Sequence, residues 1–133
     1  MPYVALVTVA ALLVFLWTGV RVGSARGKYG VHAPATTGNE IFERHFRVQM
    51  NTLEQLALFL PSLWIFASYV SPLWAACLGV VFVIGRVIYA VTYVRDPRSR
   101  SIGFALTALP TMAMIAGIAI WAIRAAFVTA SVQ

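Results

Sequence analysis

Residues 44–67 decide the fold: Arg-His-Phe-Arg-Val-Gln-Met-Asn-Thr-Leu-Glu-Gln-Leu-Ala-Leu-Phe-Leu-Pro-Ser-Leu-Trp-Ile-Phe-Ala. A polar, charged half-helix continues here without a break into a half that is apolar enough for a membrane. On a helix of about 3.6 residues per turn, a stripe about 100° wide carries polar side chains into the apolar half. Its members are Arg44, Arg47, Asn51, Glu54, Gln55 and Leu58. Ionisable groups at membrane depth are costly and usually face a bundle interior or a cavity, so the stripe indicates a functional site.

The composition sets the fold class. Hydrophobic residues make up 61% of the 133 residues and charged residues 11%, with a mean hydropathy of +0.84. Such a chain is too apolar for an ordinary soluble domain and is expected to be an integral membrane protein. Crossing the hydrocarbon core takes about 20 helical residues, and four stretches are long enough: 3–20, 44–70, 73–94 and 102–127. The sequence therefore predicts an all-α, multi-pass four-helix bundle, with residues 1–133 as a single domain.

The basic residues orient this bundle. The net charge is +6, and most of the cations flank the first and third loops: Arg21, Arg26, Lys28, Arg44, Arg47, Arg95, Arg98 and Arg100. By the positive-inside rule both loops are expected on the cytoplasmic side. The placement of basic residues in cytoplasmic loops explains the net positive charge, and no aromatic residues alternate with them in a nucleic-acid-binding motif. Nucleic acid is therefore not an expected partner. Nine arginines against one lysine and compact loops favour a bacterial inner membrane, or the endoplasmic reticulum membrane in a eukaryote.

The third predicted helix supplies a facing surface. Arg86, Tyr89 and Tyr93 follow i, i+3 and i+7 spacing and share an arc of about 60°. Counted inward from the cytoplasmic loops, Tyr89 and Arg86 lie at the same depth as Arg47, Asn51 and Glu54. The two surfaces are therefore expected to meet in the cytoplasmic half of the membrane.

Two interpretations of these charges stay open. Glu54 could neutralise Arg86 or Arg47 in a structural ion pair while the other arginines reach the head groups. Alternatively, because Glu54 is the single acid at this depth, the surplus guanidiniums and two phenols could form a cavity for a small zwitterionic ligand with more than one carboxylate.

The same residues carry a family resemblance. Phe42 to Glu54, with the string Arg-x-Gln-x-Asn-x-x-Glu, then Gly85 to Tyr89 with Tyr93, Arg95 and Arg100, resemble the membrane-associated proteins of eicosanoid and glutathione metabolism (MAPEG). Within that family the chain is most similar to the microsomal glutathione S-transferases and to the synthase that joins glutathione to a leukotriene epoxide.

The resemblance implies a homotrimer with glutathione bound at each subunit interface. It assigns most of the glutathione contacts to one subunit, namely Arg47, Asn51, Glu54, Tyr89, Tyr93 and Arg100, and assigns Arg26 and Gln49 to its neighbour. Helix geometry agrees, because Gln49 points about 160° away from Asn51.

The implied activity is that of a glutathione transferase or peroxidase. Glutathione is the co-substrate, and its thiolate attacks a hydrophobic electrophile that enters from the membrane lipid, or reduces a lipid hydroperoxide. A free thiol with a pKa of about 8.5 is mostly protonated at neutral pH, and a guanidinium favours the anion. Arg100 is the expected catalytic residue for this activation, with Tyr93 as the next candidate. Gln55 and Gly27 depart from the leukotriene-forming members, which have a tyrosine and a second arginine there.

No metal is expected, because His32 and His45 lack ligand spacing and Cys77 is predicted to be a buried packing residue. Two alternatives come from other classes. A non-catalytic, lipid-binding protein of the same fold is expected to depart at the glutathione-binding positions, and Arg47, Glu54 and Arg100 are present. A small four-helix multidrug exporter needs a carboxylate in its first membrane helix, and residues 3–20 contain none.

Overall fold

The computed structural model describes residues 1–132, which fold as four long helices. Their bounds are α1, Pro2–Tyr29; α2, Glu40–Tyr69; α3, Pro72–Arg95; and α4, Ser101–Val132, with a 3-10 turn at Pro97–Arg100 before α4. The predicted all-α four-helix bundle is confirmed. Three helical segments are long and apolar enough to cross a membrane: Pro2–Tyr29, Pro72–Arg95 and Pro97–Val132. Helix α2 is as long, but its first half carries the charged stripe.

The first helix is longer than predicted. The sequence predicts that the first helix ends at residue 20, because glycines such as Gly23 and Gly27 are common in loops, whereas α1 continues to Tyr29. Glycine is tolerated within a helix when neighbouring residues are buried. Val22 and Ala25 are buried and pack with Phe42 of α2. The helix ends at Gly30, whose φ of 68° is the left-handed conformation that glycine adopts freely.

Side-chain caps define the starts of α2 and α3. The Asn39 carboxamide accepts hydrogen bonds from the backbone N–H groups of Ile41 and Phe42, at 2.9 and 3.0 Å. Ser71 accepts one from the N–H of Trp74 at 3.2 Å, and Pro72 occupies the first turn. These groups satisfy N–H donors that have no partner within the helix. The turn residues before α2 and between α2 and α3 therefore fix where each helix begins.

The core has a large apolar part and a smaller part at the basic end of the bundle, the end that holds residues 30–39 and the 3-10 turn. In the apolar part the rings of Phe59 and Phe82 stack with centroids 3.7 Å apart. At the basic end Val48, Tyr89 and Ala90 are buried together. Cys77, predicted to be a packing residue, is instead exposed on α3.

Two glycines bring α3 and α4 into close contact. A Cβ added at Gly103 would lie 2.5 Å from the backbone nitrogen of Tyr89, and one added at Gly85 would lie 2.7 Å from Cβ of Leu106. Small residues of this kind allow helix backbones to approach in membranes. The contact sets the start of α4, and with it Arg100 and Ser101, directly against Tyr89.

Candidate functional site

A cavity of about 430 Å³ opens at the basic end of the bundle, among α2, α3, the 3-10 turn and the start of α4. Its lining combines cationic, phenolic and small polar side chains with an aromatic ring: Arg47, Asn51, Tyr89, Tyr93, Arg98, Arg100, Ser101 and Phe104. The α2 and α3 surfaces that were predicted to meet do so here. No carboxylate lines this cavity within residues 1–132, so it favours anionic groups.

The two phenols form one wall. Tyr89 and Tyr93 are one helical turn apart on α3, and their rings stack with centroids 5.4 Å apart. Tyr89 is only 3% exposed, because the backbone approach at Gly103 covers it from the side of α4. The wall is therefore held by packing before any ligand binds.

Arg86 is a structural cation behind that wall. It is 1% exposed, and its guanidinium donates to Oδ1 of Asn51 at 3.0 Å and to Oγ1 of Thr52 at 2.7 Å. The guanidinium carbon also lies 4.4 Å from the centre of the Tyr89 ring, a cation–π distance. The proposed ion pair of Arg86 with Glu54 is thus not formed. A buried charge needs partners, and amide, hydroxyl and ring supply them here.

Arg47 and Glu54 form the other ion pair that was considered. Their closest nitrogen and oxygen atoms are 3.6 Å apart, and the two side chains are 53% and 58% exposed. Pairs this exposed contribute little to stability, about 0–1 kcal/mol. The pair can therefore open when a ligand offers a carboxylate to Arg47 and an ammonium to Glu54. Glu54 itself lies outside the cavity lining.

The 3-10 turn contributes a cation that the sequence reading did not assign to the site. Arg98 and Arg100 both line the cavity, whereas the sequence predicts Arg98 only as part of a basic loop. Residues two apart diverge by about 160° on an α-helix but by about 120° on a 3-10 helix. The turn is fixed by Asp96, whose carboxylate accepts the N–H of Arg98 at 3.0 Å. The Asp-Pro pair was the signal that could have revealed it.

Ser101 and Phe104 were also missed. Both sit in the first turn of α4 and line the cavity. Their placement depends on the close approach at Gly103, which only tertiary packing reveals. Phe104 gives the cavity an apolar edge, and its side chain is 45% exposed.

Arg26 and Gln49 do not line the cavity. The Arg26 guanidinium donates to the backbone carbonyl of Ala35 at 2.7 Å and lies 4.8 Å from the ring centre of Phe42. Gln49 faces α1, with its Nε2 atom 3.3 Å from where a Cβ at Gly19 would stand. Gln49 thus lies on a different face of α2 from Asn51, as helix geometry predicts.

Arg44, at the start of the stripe, serves the fold. It donates to the last carbonyls of α3, those of Val94 and Arg95, at 3.1 and 3.4 Å, and pairs with Glu40. Within residues 1–132 no cluster of three His, Cys, Asp or Glu side chains has the arrangement of a metal site.

Comparison with known proteins shows the family of the chain. The sequence pattern of the MAPEG family matches residues 4–120. The chain belongs to the MAPEG family. It is 53% identical over 113 residues, 85% of the chain and 82% of the relative, to an uncharacterized protein, sll1147, of the cyanobacterium Synechocystis. The family resemblance inferred from the sequence is confirmed, and the protein is an integral membrane protein.

Two relatives carry functional names. The chain is 41% identical over 88 residues to human microsomal glutathione S-transferase 2, covering 66% of the chain and 60% of the relative. It is 35% identical over 96 residues to leukotriene C4 synthase of Bos taurus, covering 72% of the chain and 64% of the relative. The chain thus spans somewhat less than two thirds of the length of these two relatives.

Proposed function

We propose that the protein is a membrane-bound glutathione transferase whose cavity binds glutathione and activates its thiol. The observation that carries the proposal is the lining of the cavity, with three guanidiniums, two phenols and no carboxylate within residues 1–132. Glutathione has two carboxylates, one ammonium and a thiol. A volume of about 430 Å³ also falls in the range of about 300–1,000 Å³ typical of small-molecule sites. Family membership and the transferase relatives support a glutathione-dependent membrane enzyme.

Each polar group has a role in this proposal. Arg47 and Arg98 bind the carboxylates, since a guanidinium can donate two parallel hydrogen bonds to one carboxylate. Glu54, released from Arg47, accepts from the ammonium. Asn51, already oriented by Arg86, donates its amide N–H to the peptide part. The ligand therefore exchanges one weak exposed ion pair for several charge-assisted hydrogen bonds.

Activation is assigned to Arg100, assisted by Tyr93. A guanidinium beside the sulfur stabilises the thiolate more than the neutral thiol, so it lowers the thiol pKa. The thiolate attacks the electrophilic carbon, a carbon–sulfur bond forms, and the leaving group departs with its electron pair. With a lipid hydroperoxide, two thiols are oxidised to one disulfide while the hydroperoxide is reduced to an alcohol and water. Phe104, at the apolar edge of the cavity, guides the hydrophobic substrate from the bilayer.

The proposed enzyme is a homotrimer in which Arg26 and Gln49 of one subunit reach the glutathione held by the next. The support is geometric: both residues lie on the α1–α2 face and not in the cavity of their own subunit. The bundle end with the basic loops is assigned to the cytoplasmic side by the positive-inside rule. That assignment gives the site access to cytoplasmic glutathione.

The test is titration calorimetry with glutathione on the detergent-solubilised protein, together with conjugation of glutathione to a hydrophobic aryl halide. Binding, conjugation and a glutathione-dependent rise in melting temperature are expected, the last by mass action. S-methylglutathione is the matched control, since it should bind without conjugation. A folded protein that neither binds nor conjugates glutathione would instead support the non-catalytic lipid-binding function.

A further inference from the structure

A second polar pocket lies at the basic end of the bundle, between α1 and α2. It has a volume of about 350 Å³ and is lined by Arg21, Ser24, Ala25, Lys28, Tyr29 and His45. It shares no residue with the lining of the candidate glutathione cavity. The proposed function uses none of these side chains, so the pocket needs its own explanation.

The pocket is cationic. No carboxylate in residues 1–132 lines it. Glu40 pairs with Arg44, and Glu43 points about 160° away from the pocket residue His45 on α2. Ser24 and Tyr29 add hydroxyl donors beside Arg21 and Lys28. A cluster of cations and hydroxyls without a counter-charge is the donor set that binds phosphate.

Arg21 is held in place before a ligand arrives. Its guanidinium donates to the carbonyl of Ala90 on α3 at 3.4 Å, and its central carbon lies 4.8 Å from the ring centre of Trp17. A cation that is already oriented loses less conformational freedom on binding. Lys28 contacts the Tyr29 ring at 5.4 Å and forms no ion pair among the described residues.

An apolar row leads from the pocket along α1 into the membrane. Leu13, Val20 and Ser24 lie on one face of the helix, because they are separated by seven and four residues. Leu13 is 58% and Val20 69% exposed. A ligand with a phosphate in the pocket could therefore lay hydrocarbon along this row, which a free phosphate ion cannot do.

We propose that this pocket binds the phosphate headgroup of an anionic phospholipid, with an acyl chain along Leu13 and Val20. Basic pockets between membrane helices on the positively charged side favour anionic headgroups over zwitterionic ones. The pocket lining does not include Arg26 or Gln49, the residues proposed to reach the neighbouring subunit. The bound lipid tethers the end of α1 to α2 and fixes the depth of the bundle in the bilayer.

The experiment measures lipid retained by the purified full chain in native mass spectrometry. The probes are dioleoyl phosphatidylglycerol and dioleoyl phosphatidylcholine at equal mole fraction in detergent micelles, with inorganic phosphate as competitor. The variant is Lys28→Gln, and the matched control is Arg95→Gln, which removes a cation from the same end outside the pocket. We expect preferential retention of phosphatidylglycerol, about fivefold weaker in Lys28→Gln, and unchanged in Arg95→Gln. Glutathione binding by Lys28→Gln should equal that of the wild type.

Three results would overturn the proposal. Equal retention of both lipids by the wild type would remove the headgroup preference. Equal loss in Lys28→Gln and Arg95→Gln would indicate diffuse surface attraction without a site. Displacement of the lipid by millimolar inorganic phosphate would identify a site for free anions. A second variant, Arg21→Gln, should repeat the effect of Lys28→Gln in the fraction that folds.

Discussion

Arg86 and Arg100 carry the same charge but differ in their surroundings. Arg86 is almost completely buried and donates hydrogen bonds to Asn51 and Thr52. Arg100 lies at the open edge of the cavity, with no hydrogen bond to the side chains of residues 1–132 that would compete with a ligand. The burial of each arginine and its hydrogen-bond partners cannot be read from the sequence. These two properties distinguish Arg86, which stabilises the fold, from Arg100, which lines the candidate site.

Thr52→Val should destabilise the protein, because it removes the hydroxyl that accepts from Arg86 at 2.7 Å. Leaving a buried charged group short of a partner costs about 1–3 kcal/mol. The apparent melting temperature in detergent should fall clearly. Thr107→Val is the control: its hydroxyl is equally buried but donates only to the Gly103 carbonyl of its own helix, at 2.8 Å. Equal melting temperatures for the two variants would show that the contact with Arg86 adds nothing.

Arg100→Ala should lower the turnover number strongly while the apparent glutathione affinity changes little. A cation that favours the thiolate over the thiol acts on the reactive state and not on ligand retention. Losing it raises the thiol pKa, so the rate profile should move to higher pH. The absorbance of bound thiolate against pH measures this directly.

The control for Arg100→Ala must come from outside the cavity. Arg98 is unsuitable because it lines the site, and Arg98→Ala should weaken glutathione binding by about 1.5–3 kcal/mol as a lost charge-assisted hydrogen bond. Arg95→Ala should leave both binding and turnover unchanged. If the titration midpoint of the bound thiol stays the same in Arg100→Ala, thiol activation would instead be assigned to Tyr93.

At the scale of elements, the crossing of α3 and α4 places the cavity wall. Gly103→Ala should destabilise the bundle by about 1–3 kcal/mol, as expected for overpacking, because the new methyl group would lie 2.5 Å from the Tyr89 nitrogen. It should also raise the KM for glutathione by displacing Tyr89 from Arg100. Gly27→Ala, in α1 with no atom within 4 Å of the added Cβ, should gain about 0.5–1 kcal/mol. Similar melting temperatures for the two would contradict the tight crossing.

The element scale also shows what the sequence could predict. Hydropathy and the 3.6-residue stripe predicted four helices and the meeting of α2 with α3, because both follow from local periodicity. The sequence alone could not predict that α1 continues through Gly23 and Gly27, because this extension depends on the packing of Val22 and Ala25 against Phe42. The 3-10 turn and the crossing at Gly103 also depend on tertiary packing. The sequence therefore did not predict that Arg98, Ser101 and Phe104 line the cavity.

At the scale of the whole molecule, the charges are divided between two ends of the bundle. The basic end holds both polar cavities, while Arg124 is the cation near the other end of α4. The candidate glutathione cavity and the proposed lipid pocket share no lining residue. A ligand and a lipid can therefore occupy this end together.

Mixed trimers test the assembly and the shared site at once. Subunits with Arg100→Ala lack the activating cation, and subunits with Arg26→Ala and Gln49→Ala lack the contacts proposed to reach the neighbour. Each homotrimer should be nearly inactive. In a cyclic trimer that contains both kinds, one of the three interfaces always combines the intact halves, so trimers purified over both tags should regain about a third of the wild-type sites. Differently tagged subunits, co-expressed and purified over both tags, provide the measurement.

Separate purification followed by mixing without subunit exchange is the control and should restore no activity. Co-purified but inactive mixtures would mean that Arg26 and Gln49 act in the site of their own subunit. An active Arg26→Ala, Gln49→Ala homotrimer would mean that Arg26 serves only the carbonyl of Ala35, which it contacts at 2.7 Å.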